Sequence, residues 1–207
     1  MIDRGTMIDR DAPGFYPTPS TRLRLAGAAG VAGALTWPLA LIVLAVAAAN
    51  CVPGACTIDR GSLAIAAIAP VLFAIAVAGL ELRARRPPGF GDLVGDLTIG
   101  TSAALFVISL LVGTVSLAGP GLLLLLIGSL IFGAVGYLGA GRHRMASALV
   151  ALGAGSLLVF LFGGAVSGDL GTLGAPSLIG LLLFCAGWAW LGADLLLARP
   201  LAIPEKR

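Results

Sequence analysis

Residues 121–141 read GLLLLLIGSLIFGAVGYLGAG. The stretch holds no acid and no base. At about 1.5 Å of rise per residue, a helix of this length spans roughly 30 Å, the thickness of a bilayer's hydrocarbon core. In lipid an unsatisfied backbone amide costs several kcal/mol, so only a helix or a closed barrel can cross. The ten-residue alternation of a barrel strand is absent, and the stretch reads as a transmembrane helix.

Five further stretches have the same character: Leu25–Ala49, Ser62–Leu80, Leu97–Leu117, Met145–Val166 and Ser177–Leu197. The whole chain of 207 residues is 58% hydrophobic and 11% charged. Soluble domains average about 45–50% and about 25%, which excludes a water-soluble globule. Thirty glycines without a Gly-X-Y period exclude collagen. The expected fold is an all-α membrane protein, a six-transmembrane-helix bundle. Residues 1–24 are polar, carry Pro13, Pro17 and Pro19, and read as a disordered cytoplasmic leader. Residues 25–198 form the bundle and 199–207 a cytoplasmic tail. Within the leader, Met1-Ile-Asp-Arg4 recurs at Met7–Arg10. The first span is too long for a cleaved signal peptide.

Charge sets the orientation. Of 13 Lys and Arg, twelve fall in the N-terminal segment, the 2–3 and 4–5 connections and the C-terminal segment, with Arg60 alone on the other side. The positive-inside rule then places both termini in the cytoplasm of a cell that carries this protein in its plasma membrane. These arginines anchor helices and suit anionic lipid head groups. No long basic run or RNA-binding motif is present, so nucleic acid is not an expected partner.

The spans are well punctuated. Cys51-Val-Pro-Gly-Ala-Cys56 ends the first, and Arg83, Arg85, Arg86, Pro87 and Pro88 close the second. Asp92 is expected to cap the third helix. Ala118-Gly119-Pro120 reads as the tight link of a helical hairpin. Arg142, His143 and Arg144 separate spans four and five, and a glycine-rich loop runs from Gly168 to Pro176.

The even-numbered spans share a pattern. Ile68 and Phe73, Ile127 and Phe132, and Ile179 and Phe184 stand five apart, each Ile followed by a small residue, Ala69, Gly128 or Gly180. Arg83 and Arg85 recur 59 residues later as Arg142 and Arg144. Three parallel hairpin repeats would explain this, as would chance among Leu/Gly-rich helices. Gly27, Gly30 and Gly33, Ser129 and Gly133, Gly136 and Ala140, and Ala151 and Gly155 are small residues at helical spacing. They suit close helix packing, because lipid leaves van der Waals contact as the main glue. Pro38 and Pro70 are expected to kink spans one and two. Trp37, Tyr137, Trp188 and Trp190 are expected as interfacial anchors.

Little material for catalysis is present. No His lies in a span, no phosphate-binding loop occurs, and no metal or cofactor is expected. Cys51 and Cys56 face the oxidising side in this topology, where a disulfide is permitted. Their separation suits a structural staple, two free thiols, or a thiol oxidoreductase pair, although redox pairs are usually Cys-x-x-Cys. Cys185 reads as an apolar packer. Among acids, Asp96 and Asp194 lie about one turn inside their spans, and Glu81 stands four before Arg85 at salt-bridge spacing. Interfacial pairing explains all three. The functional alternative is an intramembrane polar site, to which Thr101 and Ser109, two turns apart, would add hydroxyls. No charge lies at the midplane of a span. The expected role is a non-catalytic accessory, scaffold or assembly subunit meeting other membrane subunits or copies of itself. A small-solute transporter or channel, and an extracytoplasmic thiol oxidoreductase, are the alternatives.

Overall fold

The computed structural model describes residues 19–49, 60–84, 89–114, 116–139, 143–167 and 175–197. Six helices account for nearly all of them: α1 Pro19–Ala49, α2 Arg60–Ala84, α3 Phe90–Val112, α4 Ala118–Leu138, α5 Arg144–Ser167 and α6 Ala175–Leu196. No strand occurs among the described residues. All six are long and apolar enough to cross a membrane, and the chain is a multi-pass integral membrane protein. Helix α1 starts six residues before the expected span, so the last part of the presumed leader is helical. Both prolines, Pro38 and Pro70, lie within unbroken helices.

Two boundaries differ from the expectation. Helix α3 stops at Val112, because Gly113 takes a left-handed conformation (φ 73°, ψ 31°) that only glycine adopts at no steric cost. The N–H groups of Gly113 and Thr114 both donate to the Ser109 carbonyl, at 2.9 and 3.1 Å. The connection is therefore Gly113–Leu117. Ala118-Gly119-Pro120, read from the sequence as the link, is the first turn of α4. A helix's first turn has amides with no intrahelical acceptor, so Pro120 loses nothing there. Asp92 is likewise not the cap of α3. Gly89 is, and the Asp92 carboxylate reaches back one turn to accept the Gly89 N–H at 3.1 Å.

Each helix packs on its sequence neighbours, and α6 returns to α1, so the six close into a ring. Helix α2 also touches α6 behind α1. Described parts of α1 begin and of α6 end at the same end of the bundle, where Gly27 meets Leu196. We call this the basic end, since Arg22, Arg24, Arg83, His143 and Arg144 all lie there.

Why the ring forms is visible at its glycines. A Cβ on Gly33 of α1 would sit 2.9 Å from the ring of Phe73 on α2. On Gly95 of α3 it would sit 3.2 Å from Phe132 on α4, and on Gly153 of α5 2.6 Å from the Cα of Phe184 on α6. Each even helix thus lays its repeated phenylalanine on a glycine of the helix before it. The small residues Ala69, Gly128 and Gly180 are buried one turn away, while Ile68, Ile127 and Ile179 all face outward. The pattern read in the sequence is a real three-fold repeat of packing.

Those phenylalanines converge on the axis. Phe73 stacks on Trp188 at 4.7 Å between ring centroids, and Phe132 stacks on its other side at 5.6 Å. Phe184 meets Phe73 edge-on at 5.7 Å, and Trp37 packs on both Phe73 and Phe184 at 6.2 and 6.0 Å. Four helices contribute to this one cluster. Trp37 and Trp188, expected at the interface, are fully buried in it. Their large rings fill the gap that six helices in a ring would leave, and aromatic stacking adds about 0.5–1.5 kcal/mol per pair. Tyr137 and Trp190 remain half exposed near the basic end, as the anchor role requires.

Candidate functional site

Apart from Arg60 at the start of α2, the charged side chains of the described helices lie at the basic end, and their acids form two groups. The first lies between α2 and α3. Helix α2 carries Glu81 one turn before its end. Helix α3 carries Asp92 in its first turn and Asp96 in its second. The antiparallel crossing brings the Glu81 and Asp96 carboxyls within hydrogen-bonding reach, with Asp92 close enough for its charge to be felt by both. Oδ1 of Asp96 is buried and has no hydrogen-bond partner among the described residues. Arg85, the partner expected for Glu81, lies outside the described residues.

The second group is centred on Asp194 of α6. Its Oδ2 is 2.7 Å from Nδ1 of His143, the residue whose carbonyl accepts the Ser147 N–H in the first turn of α5. Arg83 of α2 donates from Nη1 to the Asp194 carbonyl oxygen at 3.0 Å. This carbonyl is one of the four at a helix C-terminus that lack an intrahelical donor. Arg144 does the same for α4, donating from Nε to the carbonyls of Tyr137 and Gly139, both at 3.1 Å. One acid therefore ties α2, α5 and α6 together. Nothing in local spacing announced the His143–Asp194 pair, which is 51 residues apart. The repeat did hold a signal. Arg83, Arg142 and Asp194 each stand ten residues after their repeat's phenylalanine, so an acid replaces a base in the third unit.

The hydroxyls do not line a shared path. Thr101 faces outward and donates to the Leu97 carbonyl at 2.7 Å, while Ser109 is fully buried. Eight residues advance a helix by two turns and about 80°, which puts the two on different faces. Ser102, seven before Ser109, is its true face-mate, about 20° away. Ser102 donates across to the Gly121 carbonyl of α4 at 2.7 Å, and Ser109 to the Thr114 carbonyl. Both close the α3–α4 hairpin. Thr98 bonds back to Val94 at 2.6 Å.

Cys51 and Cys56 lie outside the described residues. Cys185 is half-buried, has a free thiol and packs against the core, as expected of an apolar filler. Three other buried polar atoms lack partners among the described residues: the indole N–H groups of Trp37 and Trp188 and the Ser129 hydroxyl. An open apolar groove of about 460 Å³ runs along α4 and α5, lined by Leu130, Ala151, Leu152, Gly155, Ser156 and Val159, with no ionisable group.

Comparison with known proteins finds no matching family model, no matching curated protein and no matching solved structure.

Proposed function

We propose that this membrane protein carries out no catalysis and serves as an accessory, scaffold or assembly subunit, with the basic end in the cytoplasm of a cell that holds it in the plasma membrane. The observation that carries this reading is the filled axis. Five aromatic side chains from four helices occupy the centre of the ring at mid-depth, where an enzyme or carrier would hold its substrate. The basic rim suits anionic lipid head groups. Affinity purification of the full chain from its native membrane in mild detergent tests the subunit role. A partner recovered in constant stoichiometry is the expected result. A chain that always comes out alone refutes it.

A second reading, carriage of a proton or small cation, is favoured by one observation. Glu81 and Asp96 face each other inside membrane-spanning helices, where ionisable groups are costly and commonly functional. A proton or cation between them would satisfy both carboxyls. Proteoliposomes of the full chain should then show a cation or proton flux that Glu81→Gln and Asp96→Asn together reduce at least tenfold. Flux at the level of empty liposomes rejects this reading.

A further inference from the structure

The three-fold repeat gives each seam between hairpins two counterparts, and one seam departs from the others. At α6–α1, a Cβ on Gly192 would lie 2.7 Å from both the Gly27 carbonyl and the Val31 amide, so the two backbones touch. At α4–α5, a Cβ on Gly133 would lie 2.6 Å from the Ser147 carbonyl and 2.7 Å from the Ala151 amide. Both contacts fall in the half of the ring toward the basic end. At α2–α3 nothing equivalent occurs among the described glycines. The nearest neighbours of Gly79 are on α1 and α6, and those of Gly91 and Gly95 are on α4. This seam is also the least extensive around the ring.

The repeat register shows what has been substituted. Asp96 follows Gly95 where Ala34 follows Gly33 and Ala154 follows Gly153, and both alanines are buried. Glu81 stands eight residues after Phe73 where Gly192 stands eight after Phe184. Small packing residues in the other units are thus carboxylic acids here, and the two acids face each other. The far half of the same seam is ordinary. Ala66 and Ala67 of α2 pack with Phe106 of α3 in an apolar cluster that includes Ala118. One half of the seam is glued by dispersion, and the other is held by a pair whose sign of interaction depends on protonation. Two ionised carboxylates repel, whereas a pair holding one proton is joined by a hydrogen bond.

We propose that the α2–α3 seam is the lateral opening of the ring, hinged on the Ala66, Ala67 and Phe106 cluster and controlled at the basic end by Glu81 and Asp96. This goes beyond the assembly reading and does not depend on it. The charged group beside the pair is Asp92 on α3; Arg83, two residues after Glu81 and so on another face of α2, is engaged with the Asp194 carbonyl of α6. The other described ionisable groups at that end are Arg22 and Arg24 on α1, both exposed, and the His143–Asp194 pair and Arg144.

Spin-label distances in nanodiscs test this on the full chain. Nitroxides on encoded ketone residues leave the native cysteines in place. One pair goes at Leu82 and Leu97, both exposed on α2 and α3, and a control pair at Leu25 and Leu197, exposed beside the α6–α1 seam. The distances are recorded from about pH 4, near the ordinary carboxylate value, to about pH 9, well above it. The 82/97 distribution should gain a component at least about 5 Å longer over that range, while 25/197 stays single and narrow. Glu81→Gln with Asp96→Asn should abolish the long component at every pH, and Glu81→Gln alone should diminish it. An 82/97 distribution as narrow as the control at both pH values overturns the proposal. So does a long component that survives in the double variant or is undiminished in Glu81→Gln.

Discussion

Gly153→Leu should unfold the ring. The Cβ alone would meet the Phe184 amide and lie 2.6 Å from its Cα and 2.8 Å from the Gly180 carbonyl, all backbone atoms that cannot rotate aside. Helices α5 and α6 must therefore separate. That movement also releases the close approach of Gly187 to the Val150 amide, where a Cβ would lie at 2.7 Å. Leucine gains about 1 kcal/mol of helix propensity over glycine. Overpacking a tight site costs about 1–3 kcal/mol and more when backbone must move, so the clash prevails. The expected loss is at least about 3 kcal/mol, read as a fall in the unfolding midpoint in SDS titrations of micelle-reconstituted protein. Gly100→Ala is the matched control. Nothing lies within 4 Å of its Cβ position, so only the propensity term acts, and the variant should be neutral or stabilised by up to about 1 kcal/mol. If Gly153→Leu unfolds at the wild-type midpoint, the glycine-seat account of the ring is wrong.

The second large effect is expected at the axis. Trp188 is the centre of the aromatic cluster, stacked between Phe73 and Phe132 and touching Phe184. Trp188→Ala should cost about 3–5 kcal/mol. In a membrane this loss is not the hydrophobic effect, because lipid is as apolar as the core. It is the dispersion contact forfeited around the void. Trp190→Ala, two residues along and half exposed, should change stability by less than about 0.5 kcal/mol. Trp188→Phe separates two contributions. It keeps most of the packing and removes an indole N–H that is buried without a partner. An unsatisfied buried donor costs about 1–3 kcal/mol, so its removal offsets part of the lost volume, and the net loss should stay below about 1.5 kcal/mol. Equal losses for the Ala and Phe variants would show that the N–H is satisfied after all.

The ends of the helices were less legible than the spans, and the reasons are local. Hydropathy continues past Val112 through Val115 and Leu117, so nothing apolar marks the end of α3. The left-handed turn at Gly113 marks it, and a glycine among 30 glycines is a weak signal. Pro120 looked like a breaker because proline ends helices more visibly than it begins them. Trp37 and Trp188 were misassigned for a related reason. An indole suits both a wet interface and a wide apolar gap, and only the number of helices around the axis decides between them. The hydroxyls were misassigned by a single residue of register, Thr101 in place of Ser102.

Some of the candidate site could be read before folding and some could not. Asp96, Glu81 and Asp194 stood out because a charge in an apolar span is anomalous wherever it sits. Their partners did not. Every helix here is so largely apolar that periodicity does not say which face turns inward. Asp194 met His143, 51 residues away, and Glu81 met Asp96 only through the packing of the helices that carry them.

The amino-acid sequence by itself determined the solvent, the number of crossings and the three-fold spacing of phenylalanine and small residues. Each is a sum or a repeat over local properties, and lipid imposes its length and polarity on every span separately. The tertiary structure alone decided that the ring closes, that two tryptophans fill its axis, and that one seam carries acids where its counterparts carry glycine or alanine. Packing is a relation between surfaces, and it exists only once the surfaces meet.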